Sequence, residues 1–377
     1  MKIAIDARRA QINKGMDRYV FELIKNLNTI DLETEYVLFS KIRDLKQKLG
    51  LSDNFTVEGM RGRFRLIGRN GLDFLGRFIF KDIDLCHFTT GEVWYSRFST
   101  TIVTIHDIGD VVHPELFVED HRDRRRREKL YKYLLKNADY YICVSNFTKK
   151  EFCSNFNIDK ERVYVVHNGV SESFRPISDS ELINKTKKKY KISGDYILFV
   201  GALEAKKNLS NLIVSFDDAL KKTNKPFKLV IVGKYDMSKP RQYPSLDSIL
   251  KRTKRSGDIV FTGFAEDKDL AALYSGAYIS VFPSLYEGFC LPALESMACG
   301  TPVIVSNVSA FPEVVGDVGI YIDPHDIEDM SDKIAWAMRS PEAVGRYREK
   351  CLKRARLFTW KKTAVDTLKV YREILQV

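Results

Sequence analysis

Two carboxylates flank a predicted helix start in the second half of the chain. Glu287 lies on a loop and Glu295 follows eight positions later, with Gly288 and Pro292 between them. Gly288 frees the backbone, and proline is accepted at the first helical position because no N–H is needed there. We predict a helix over residues 293–299, whose N-terminus favours phosphate or another anion. Carboxylates accept hydrogen bonds from neutral hydroxyl groups, so this combination indicates a sugar-nucleotide site.

Other candidates in this half follow predicted strands. Lys206 and Lys207 come after Gly201 and just before a predicted helix over residues 209–216. Paired cations there suit a diphosphate leaving group, although an ordinary surface lysine pair is the alternative. Gly263 and Phe264 end another strand and can offer a backbone group and an aromatic face to a nucleobase. A core position is the alternative for Phe264.

In the first half, His106 directly follows a predicted strand and is placed to meet a ligand at the strand's carboxyl end. A histidine satisfied by neighbouring backbone explains it equally well. Gly15, in the loop after the first strand, permits a close backbone approach to a ligand, but a capped β-to-α loop is the simpler explanation. Asp82 and Asp84 have the spacing of a cation pair, yet they precede a strand, so we predict no metal site.

The motifs belong to an α/β protein. The length of 377 residues predicts two domains of roughly 150–200 residues each. Short apolar runs alternate with helical patterns, as in parallel sheets covered on both faces. The predicted strands span 3–5, 36–39, 85–88, 101–105, 140–144, 163–166, 196–200, 228–232, 259–262, 278–282, 302–305 and 319–322. We therefore expect two doubly wound Rossmann-like domains, over 1–176 and 177–357.

The net charge of +11 is concentrated in two segments of the first half. Residues 61–77 carry +4 and residues 122–136 carry +6. Five cations of the second segment are spaced 3 and 4 apart, as on one helical stripe: Arg122, Arg125, Lys129, Lys132 and Lys136. The first segment mixes Arg61, Arg63, Arg65 and Arg69 with apolar residues. Both indicate an anionic lipid surface, with a solvated charged face as the alternative for the helix. No nucleic-acid motif accompanies them, so we predict no nucleic-acid partner.

The cysteines and the hydropathy of the chain indicate the cellular compartment in which the protein works. The six cysteines show no CxxC pair, and four lie in apolar runs, which predicts buried free thiols in a reducing compartment. No apolar run reaches the length of a membrane span, and the N-terminus reads as a strand start without a signal-peptide core. These patterns predict a soluble protein of the cytosol.

Together these motifs resemble the retaining glycosyltransferases of family 4, which have the GT-B fold, over essentially the whole chain. The most specific match is Glu287-Gly-Phe-Cys-Leu-Pro-Ala-Leu-Glu295, which looks like that family's E-x7-E motif. Residues 201–208 resemble its diphosphate-binding segment, and residues 104–107 its active-site histidine strand. The resemblance implies two domains that face across a cleft, with a C-terminal helix over 358–377 that packs back onto the first domain.

The resemblance also implies roles. Glu295 would bind the ribose hydroxyls and Glu287 the hydroxyls of the donor sugar, while Lys207, helped by Lys206, would stabilise the departing diphosphate. His106 would lie near the anomeric centre and a sugar hydroxyl. The backbone that would meet the sugar and phosphates is Gly288, Phe289, Cys290 and Leu291. The implied chemistry is front-side transfer with retention, without metal or cofactor.

Two departures from the family pattern bear on the phosphate contacts. Ala202 stands where the family often has Arg, and Asp17 stands in the first loop where a small glycine is common. A carboxylate near a diphosphate would be repulsive unless Arg8, Arg9 or Arg18 screens it. We therefore give Asp17 no catalytic role.

The favoured interpretation is a hexosyltransferase that uses GDP-mannose and elongates a lipid-linked glycan of a surface polysaccharide or O-antigen. It would work as a peripheral protein at the cytoplasmic face of the inner membrane. A UDP-sugar is the second choice of donor. A sugar-nucleotide epimerase and a non-catalytic sugar-nucleotide-binding protein are the alternatives.

Overall fold

A computed structural model describes residues 1–10, 15–42, 44–59, 82–91, 93 and 99–377. The chain divides into two compact units. Unit 1 consists of Met1–Ile108, Arg125–Gly169 and Thr359–Val377, and unit 2 of Gly109–Arg124 and Val170–Phe358. The arginine cluster over 61–77 falls outside the described residues.

Unit 1 is built on a sheet of seven parallel strands. The strands are β1 (Lys2–Asp6), β2 (Glu35–Ser40), β3 (Phe55–Gly59), β4 (Leu85–Phe88), β5 (Thr100–Ile105), β6 (Tyr140–Cys143) and β7 (Val163–Val165). The first helices in chain order are α1 (Gly15–Ile30), α2 (Leu45–Leu49), α3 (Gly109–Val112), α4 (Pro114–Phe117), α5 (His121–Asn137) and α6 (Asn146–Phe156). Of these, α3, α4 and the start of α5, as far as Arg124, belong to unit 2.

Unit 2 is built on six parallel strands. They are β8 (Tyr196–Val200), β9 (Lys228–Val232), β10 (Ile259–Gly263), β11 (Ile279–Phe282), β12 (Val303–Ser306) and β13 (Ile320–Ile322). Its further helices are α7 (Ser180–Lys189), α8 (Leu209–Thr223), α9 (Asp247–Arg252), α10 (Asp267–Gly276), α11 (Leu291–Ala298), α12 (Phe311–Val315), α13 (Ile327–Arg339), α14 (Pro341–Gly345) and α15 (Tyr347–Ala355). The last helix, α16 (Trp360–Leu375), belongs to unit 1 and packs on α1.

Strand order locates the ligand edge of each sheet. The orders are β3-β2-β1-β4-β5-β6-β7 and β10-β9-β8-β11-β12-β13. Successive strands are therefore added first on one side of β1 and β8 and then on the other, with the switch between β1 and β4 and between β8 and β11. In doubly wound sheets, ligands bind beyond the carboxyl ends of the strands at such a switch point. In unit 2 these two ends lead into the lysine pair and into the Glu287 loop.

The prediction of two doubly wound parallel sheets is confirmed. The sequence patterns located twelve strands and missed β3, an edge strand in which Phe55 alone is buried. Such a strand carries little of the apolar run that marks a central parallel strand. Asp84 accepts a hydrogen bond from the Lys2 amide at 2.7 Å, which places it at a strand entry, as expected.

Two further expectations concern thiols and membrane spans. All six cysteines are free and buried, as predicted. Within the described ranges, no helix combines the length and the apolar character needed to cross a bilayer.

Candidate active site

Lys207 and Glu287 form a buried ion pair at the switch point of unit 2. Lys207 ends a single 3₁₀ turn (Ala205–Lys207) after β8, and Glu287 lies on the loop after β11. The Lys207 ammonium donates to Glu287 Oε1, and the two side chains are only 11% and 9% exposed. Because β8 and β11 are adjacent, two segments 80 residues apart in sequence meet here. The structure thus brings together the predicted diphosphate cation and the predicted sugar-binding carboxylate.

Both members of this pair stay ionised. Burial opposes ionisation of Glu287, but the charges of Lys207 and Lys206 and hydrogen bonds from Lys207 and Ser284 outweigh it and hold its pKa below the usual value. Burial likewise opposes the charge of Lys207, yet Glu287 raises the pKa of this ammonium above its usual value. The site therefore holds a fixed cation and a fixed carboxylate with little access to water, as catalysis by charge stabilisation requires.

The helix that carries Glu295 begins earlier than predicted. It spans Leu291–Ala298 rather than 293–299, and Gly300 follows it at φ +77°. Cys290 is the N-cap residue, with φ +66° in the left-handed region, where a side chain other than glycine costs about 1 kcal/mol or more. The strained position lies in the predicted sugar-phosphate segment, and such strain often marks binding loops.

Glu295 is oriented by a residue that the sequence patterns missed. The Tyr274 hydroxyl, on α10, donates to Glu295 Oε2 at 3.2 Å, and both side chains are buried. Burial and the Glu295 charge raise the pKa of Tyr274 well above its usual value, so the phenol remains a donor. A single tyrosine in an amphipathic helix carries no distinguishing signal in the sequence.

Lys206 has a different environment from Lys207. Its ammonium lies 4.6 Å from the centre of the Phe117 ring, a cation–π distance, and 3.8 Å from Glu204 Oε2. Phe117 belongs to the segment Gly109–Arg124, which is part of unit 2. In the same segment, the Glu119 carboxylate accepts hydrogen bonds from the backbone amides of Arg241 and Gln242, at 3.2 and 2.7 Å. No sequence pattern indicated that residues after His106 support the lysine pair.

The end of β9 is packed too closely against the end of β8 for a side chain on Gly233. A Cβ atom on Gly233, after β9, would lie 1.8 Å from the Gly201 carbonyl oxygen. A Cβ on Gly201 would lie 3.5 Å from Lys207 Cε. Gly233 must therefore be glycine for β8 and β9 to end side by side, and Gly201 lies against the lysine stem.

The aromatic candidate for the nucleobase lies on the surface. Phe264 is 48% exposed, which excludes the core position considered above, and the Lys234 ammonium lies 4.5 Å from its ring centre. Gly263 before it has φ +70°, and the β9–β10 register shifts there. An exposed ring at a strand's carboxyl end has a free face on which a planar base can stack.

In unit 1, His106 lies at the carboxyl end of β5 and its ring bonds the neighbouring strand end. The Nε2 atom is 2.8 Å from the Thr89 carbonyl oxygen, which can only accept, so Nε2 carries the proton. Burial lowers the pKa of His106 and the Thr89 carbonyl only partly offsets this effect. The imidazole is neutral near pH 7, with Nδ1 as an acceptor. Backbone satisfaction and ligand contact are thus compatible at this residue.

The first loop is described only in part. Gly15 begins α1, and among the described residues no atom would lie within 4 Å of a Cβ placed on it. Asp17 Oδ1 lies 3.6 Å from the Arg9 guanidinium, while Arg8 bonds both carboxylate oxygens of Asp6. Arg9, one of the three arginines considered for screening Asp17, therefore pairs with it.

The basic stripe of α5 faces water. All five cations predicted to share one face are exposed, and they are Arg122, Arg125, Lys129, Lys132 and Lys136. Leu134 is the one buried residue of this helix, and it lies on the opposite, apolar side. Within the part of the chain that the structure describes, no carboxylate forms an ion pair with Lys129, Lys132 or Lys136. The stripe therefore presents net positive charge.

The two doubly wound parallel sheets, each with a switch point, are the architecture of the GT-B fold. Among solved structures, the chain is similar to HepE of Anabaena in complex with UDP-glucose, with a TM-score of 0.76 and 16% identity, covering 99% of this chain and 100% of that one. At this identity the likeness shows the fold.

Sequence comparison gives the family. Residues 13–174 match the model described as Glycosyltransferase Family 4, and residues 182–358 match the one described as Glycosyl transferases group 1. The O-antigen chain mannosyltransferase B of Escherichia coli is 30% identical over 276 residues, which cover 73% of this chain and 71% of that protein. The serotype-specific mannosyltransferase WbdA of Escherichia coli is 29% identical, and the match covers 73% of this chain but only 34% of that longer protein. The chain belongs to glycosyltransferase family 4.

Proposed function

We propose that this enzyme transfers mannose from GDP-mannose to a growing surface glycan, with retention at the anomeric carbon. The observation that carries the proposal is the buried Lys207–Glu287 pair at the switch point of unit 2, a cation for the leaving diphosphate beside a carboxylate for the sugar. The mannosyltransferase names of the two relatives support the choice of sugar.

Each residue then has one task. Lys207 and Lys206 neutralise the diphosphate as the glycosidic bond breaks, and Glu287 accepts hydrogen bonds from hydroxyls of the departing sugar. Glu295 accepts from the ribose. His106 accepts a hydrogen bond from a sugar hydroxyl at Nδ1, because its Nε2–H is committed to Thr89. The leaving diphosphate takes the proton of the acceptor hydroxyl, so the proposal needs no further base.

A panel of sugar nucleotides tests this assignment. We expect the protein to cleave GDP-mannose faster than GDP-glucose, UDP-glucose and UDP-galactose, and faster still when a mannose-terminated acceptor is present. The anomeric configuration of the product, read by NMR, is expected to match that of the donor. Preferential cleavage of a UDP-sugar would replace the donor, as the UDP-glucose complex of HepE suggests. Interconversion of sugars without transfer would favour an epimerase, and binding without cleavage would contradict the enzyme assignment.

We further propose that the acceptor is lipid-linked and that the α5 stripe holds the enzyme at the cytoplasmic face of the inner membrane. Each cation near an anionic leaflet contributes about 1 kcal/mol of binding free energy. Five exposed cations of α5 lie on one face and so can meet a flat surface together.

Replacing Lys129, Lys132 and Lys136 by Ser is expected to weaken binding to phosphatidylglycerol-containing vesicles by about 100-fold, since three such contacts are lost. Flotation or vesicle co-sedimentation measures the effect, and wild-type binding is expected to disappear at high salt. The matched control replaces Lys185, Lys188 and Lys191, exposed cations of α7 and the residues after it, by Ser. Equal losses for both triple variants would mean that net charge, not the stripe, attracts the membrane.

A further inference from the structure

Four buried polar side chains form a chain of hydrogen bonds through unit 1. The Tyr371 hydroxyl is 2.5 Å from His87 Nδ1, and His87 Nε2 is 2.7 Å from Thr104 Oγ1. The Tyr19 hydroxyl is 3.0 Å from the same Thr104 oxygen. The four residues come from α16, β4, β5 and α1, and none is more than 1% exposed. A local cluster of the core thus joins four elements by polar contacts.

Such a chain fixes orientations that apolar packing would leave free. Burial lowers the pKa of His87 to about 3, with a smaller contribution from His106, so its imidazole is neutral. A neutral imidazole donates from one nitrogen and accepts at the other. His87 therefore donates a hydrogen bond to one of its two partners, Tyr371 and Thr104, and accepts one from the other. Buried polar groups without partners are costly, and each member therefore holds its neighbour in place.

The chain ends against His106. The Tyr19 ring meets the His106 ring edge-on, with 4.9 Å between ring centres and an angle of 85° between planes. On another side, Tyr19 contacts the Trp360 ring at 6.1 Å. Thr104 and His106 are two positions apart, and side chains at this spacing along an extended strand lie on the same face. The hydrogen-bonded chain therefore lies directly behind the imidazole.

One hydrogen bond cannot orient an imidazole completely. The contact from Nε2 to the Thr89 carbonyl fixes the tautomer and one corner of the ring, but the ring can still tilt about that bond. The Tyr19 ring, in contact with the imidazole face or edge, opposes this tilt. The tilt matters because it sets the direction of the Nδ1 lone pair.

We propose that Tyr19 is a positioning residue for His106, held by Thr104, His87 and Tyr371, and that it directs Nδ1 towards a hydroxyl of the donor sugar. The inference rests on the proposed function, which gives His106 its contact with the sugar. It adds Tyr19, on α1, to the residues that support the reaction. It also assigns His87, on β4, the role of holding Thr104.

Tyr19→Phe tests the proposal, because it keeps the ring and removes the hydroxyl that anchors it. We expect kcat for donor cleavage to fall about 5- to 10-fold with the donor KM within about 2-fold, as for a small loss of alignment in the transition state. Thr104→Val removes the same hydrogen bond from its other end and also removes the bond to His87. The double variant should be no slower than Thr104→Val alone, since Thr104→Val already breaks the link that Tyr19→Phe breaks. Tyr371→Phe, farther along the chain, should cost less.

Tyr141→Phe is the matched control. Tyr141 is also fully buried in unit 1, and its hydroxyl reaches the Ala138 carbonyl at 3.5 Å rather than the chain behind His106. We expect its kcat to stay within about 2-fold of wild type. A loss equal to that of Tyr19→Phe, or additive losses in the Tyr19 and Thr104 double variant, would overturn the positioning role.

Nitrogen NMR of histidine-labelled protein supplies a readout that does not depend on activity. The wild type should show His106 protonated at Nε2 and unprotonated at Nδ1, and Tyr19→Phe should shift or broaden both signals while Tyr141→Phe leaves them in place. Unchanged His106 signals in Tyr19→Phe would overturn the inference. If the wild type cleaves no sugar nucleotide, the proposed function fails, and the NMR comparison still decides whether Tyr19 orients His106.

Discussion

Replacing Glu287 by Gln is expected to lower the turnover of donor cleavage by at least about 100-fold, the size of effect seen when a preorganised charge contact to a transition state is removed. The carboxylate is ionised despite burial because Lys207 and Lys206 lower its pKa. Glutamine keeps the shape but accepts weaker hydrogen bonds from sugar hydroxyls, since it carries no charge. Steady-state kinetics with a saturating donor measure the change.

The same substitution is expected to destabilise unit 2, because Lys207 becomes a buried cation without its counter-charge. Removing one member of a buried ion pair costs about 3 kcal/mol or more. Adding Lys207→Met removes the second charge, so the double variant should regain most of the unfolding free energy, measured in urea, while turnover stays low. A recovery of turnover in the double variant would show that Glu287 serves only to neutralise Lys207.

A second ion pair in unit 2 serves as a control. It separates an effect specific to the Lys207–Glu287 pair from the general effect of losing an ion pair in this unit. Lys189 and Asp269 also pair at 2.5 Å, between α7 and α10, away from the strand ends that hold Lys207 and Glu287. Asp269→Asn is expected to leave turnover within about 2-fold of wild type. Folded Glu287→Gln protein with turnover as high as that of this control would contradict the assignment of Glu287.

The sequence patterns located the segments that meet at the switch point of unit 2, because their signals are local. An apolar run followed by a glycine, a cation pair or the E-x7-E motif marks a strand end, and parallel strands place such ends on one edge. What the sequence could not give is which ends are neighbours, and hence that Lys207 and Glu287 touch. That contact follows from the adjacency of β8 and β11, which is a property of the whole sheet.

The supporting residues were missed for a related reason. Tyr274 and Phe117 are ordinary aromatic residues of helices, and only the folded chain shows one against Glu295 and the other under Lys206. Thr104 and His87 were missed as well, because in the sequence they look like ordinary members of apolar strands. Periodicity reports that a side chain faces inward, whereas its partner there depends on tertiary packing.

Replacing Glu295 by Gln is expected to weaken binding of GDP by about 10- to 100-fold, which corresponds to the loss of charge-assisted hydrogen bonds from ribose hydroxyls. The carboxylate lies on the first turns of α11 and is buried. Isothermal titration calorimetry with GDP, UDP and their 2′-deoxy forms measures the effect. Wild-type protein should bind the ribose form more tightly than the deoxy form, and Glu295→Gln should lose most of this preference.

Tyr274→Phe separates the charge of Glu295 from its orientation. The variant keeps the carboxylate but removes the hydroxyl that donates to Oε2 at 3.2 Å, so we expect a smaller loss of affinity and a partial loss of ribose preference. Tyr196→Phe is the control, since Tyr196 is equally buried in unit 2 and its hydroxyl bonds the Leu273 carbonyl at 2.7 Å instead. If Glu295→Gln still discriminates ribose from deoxyribose as wild type does, the carboxylate does not contact the ribose. In that case Tyr274 positions a structural residue, and the ribose contact must be sought elsewhere on unit 2.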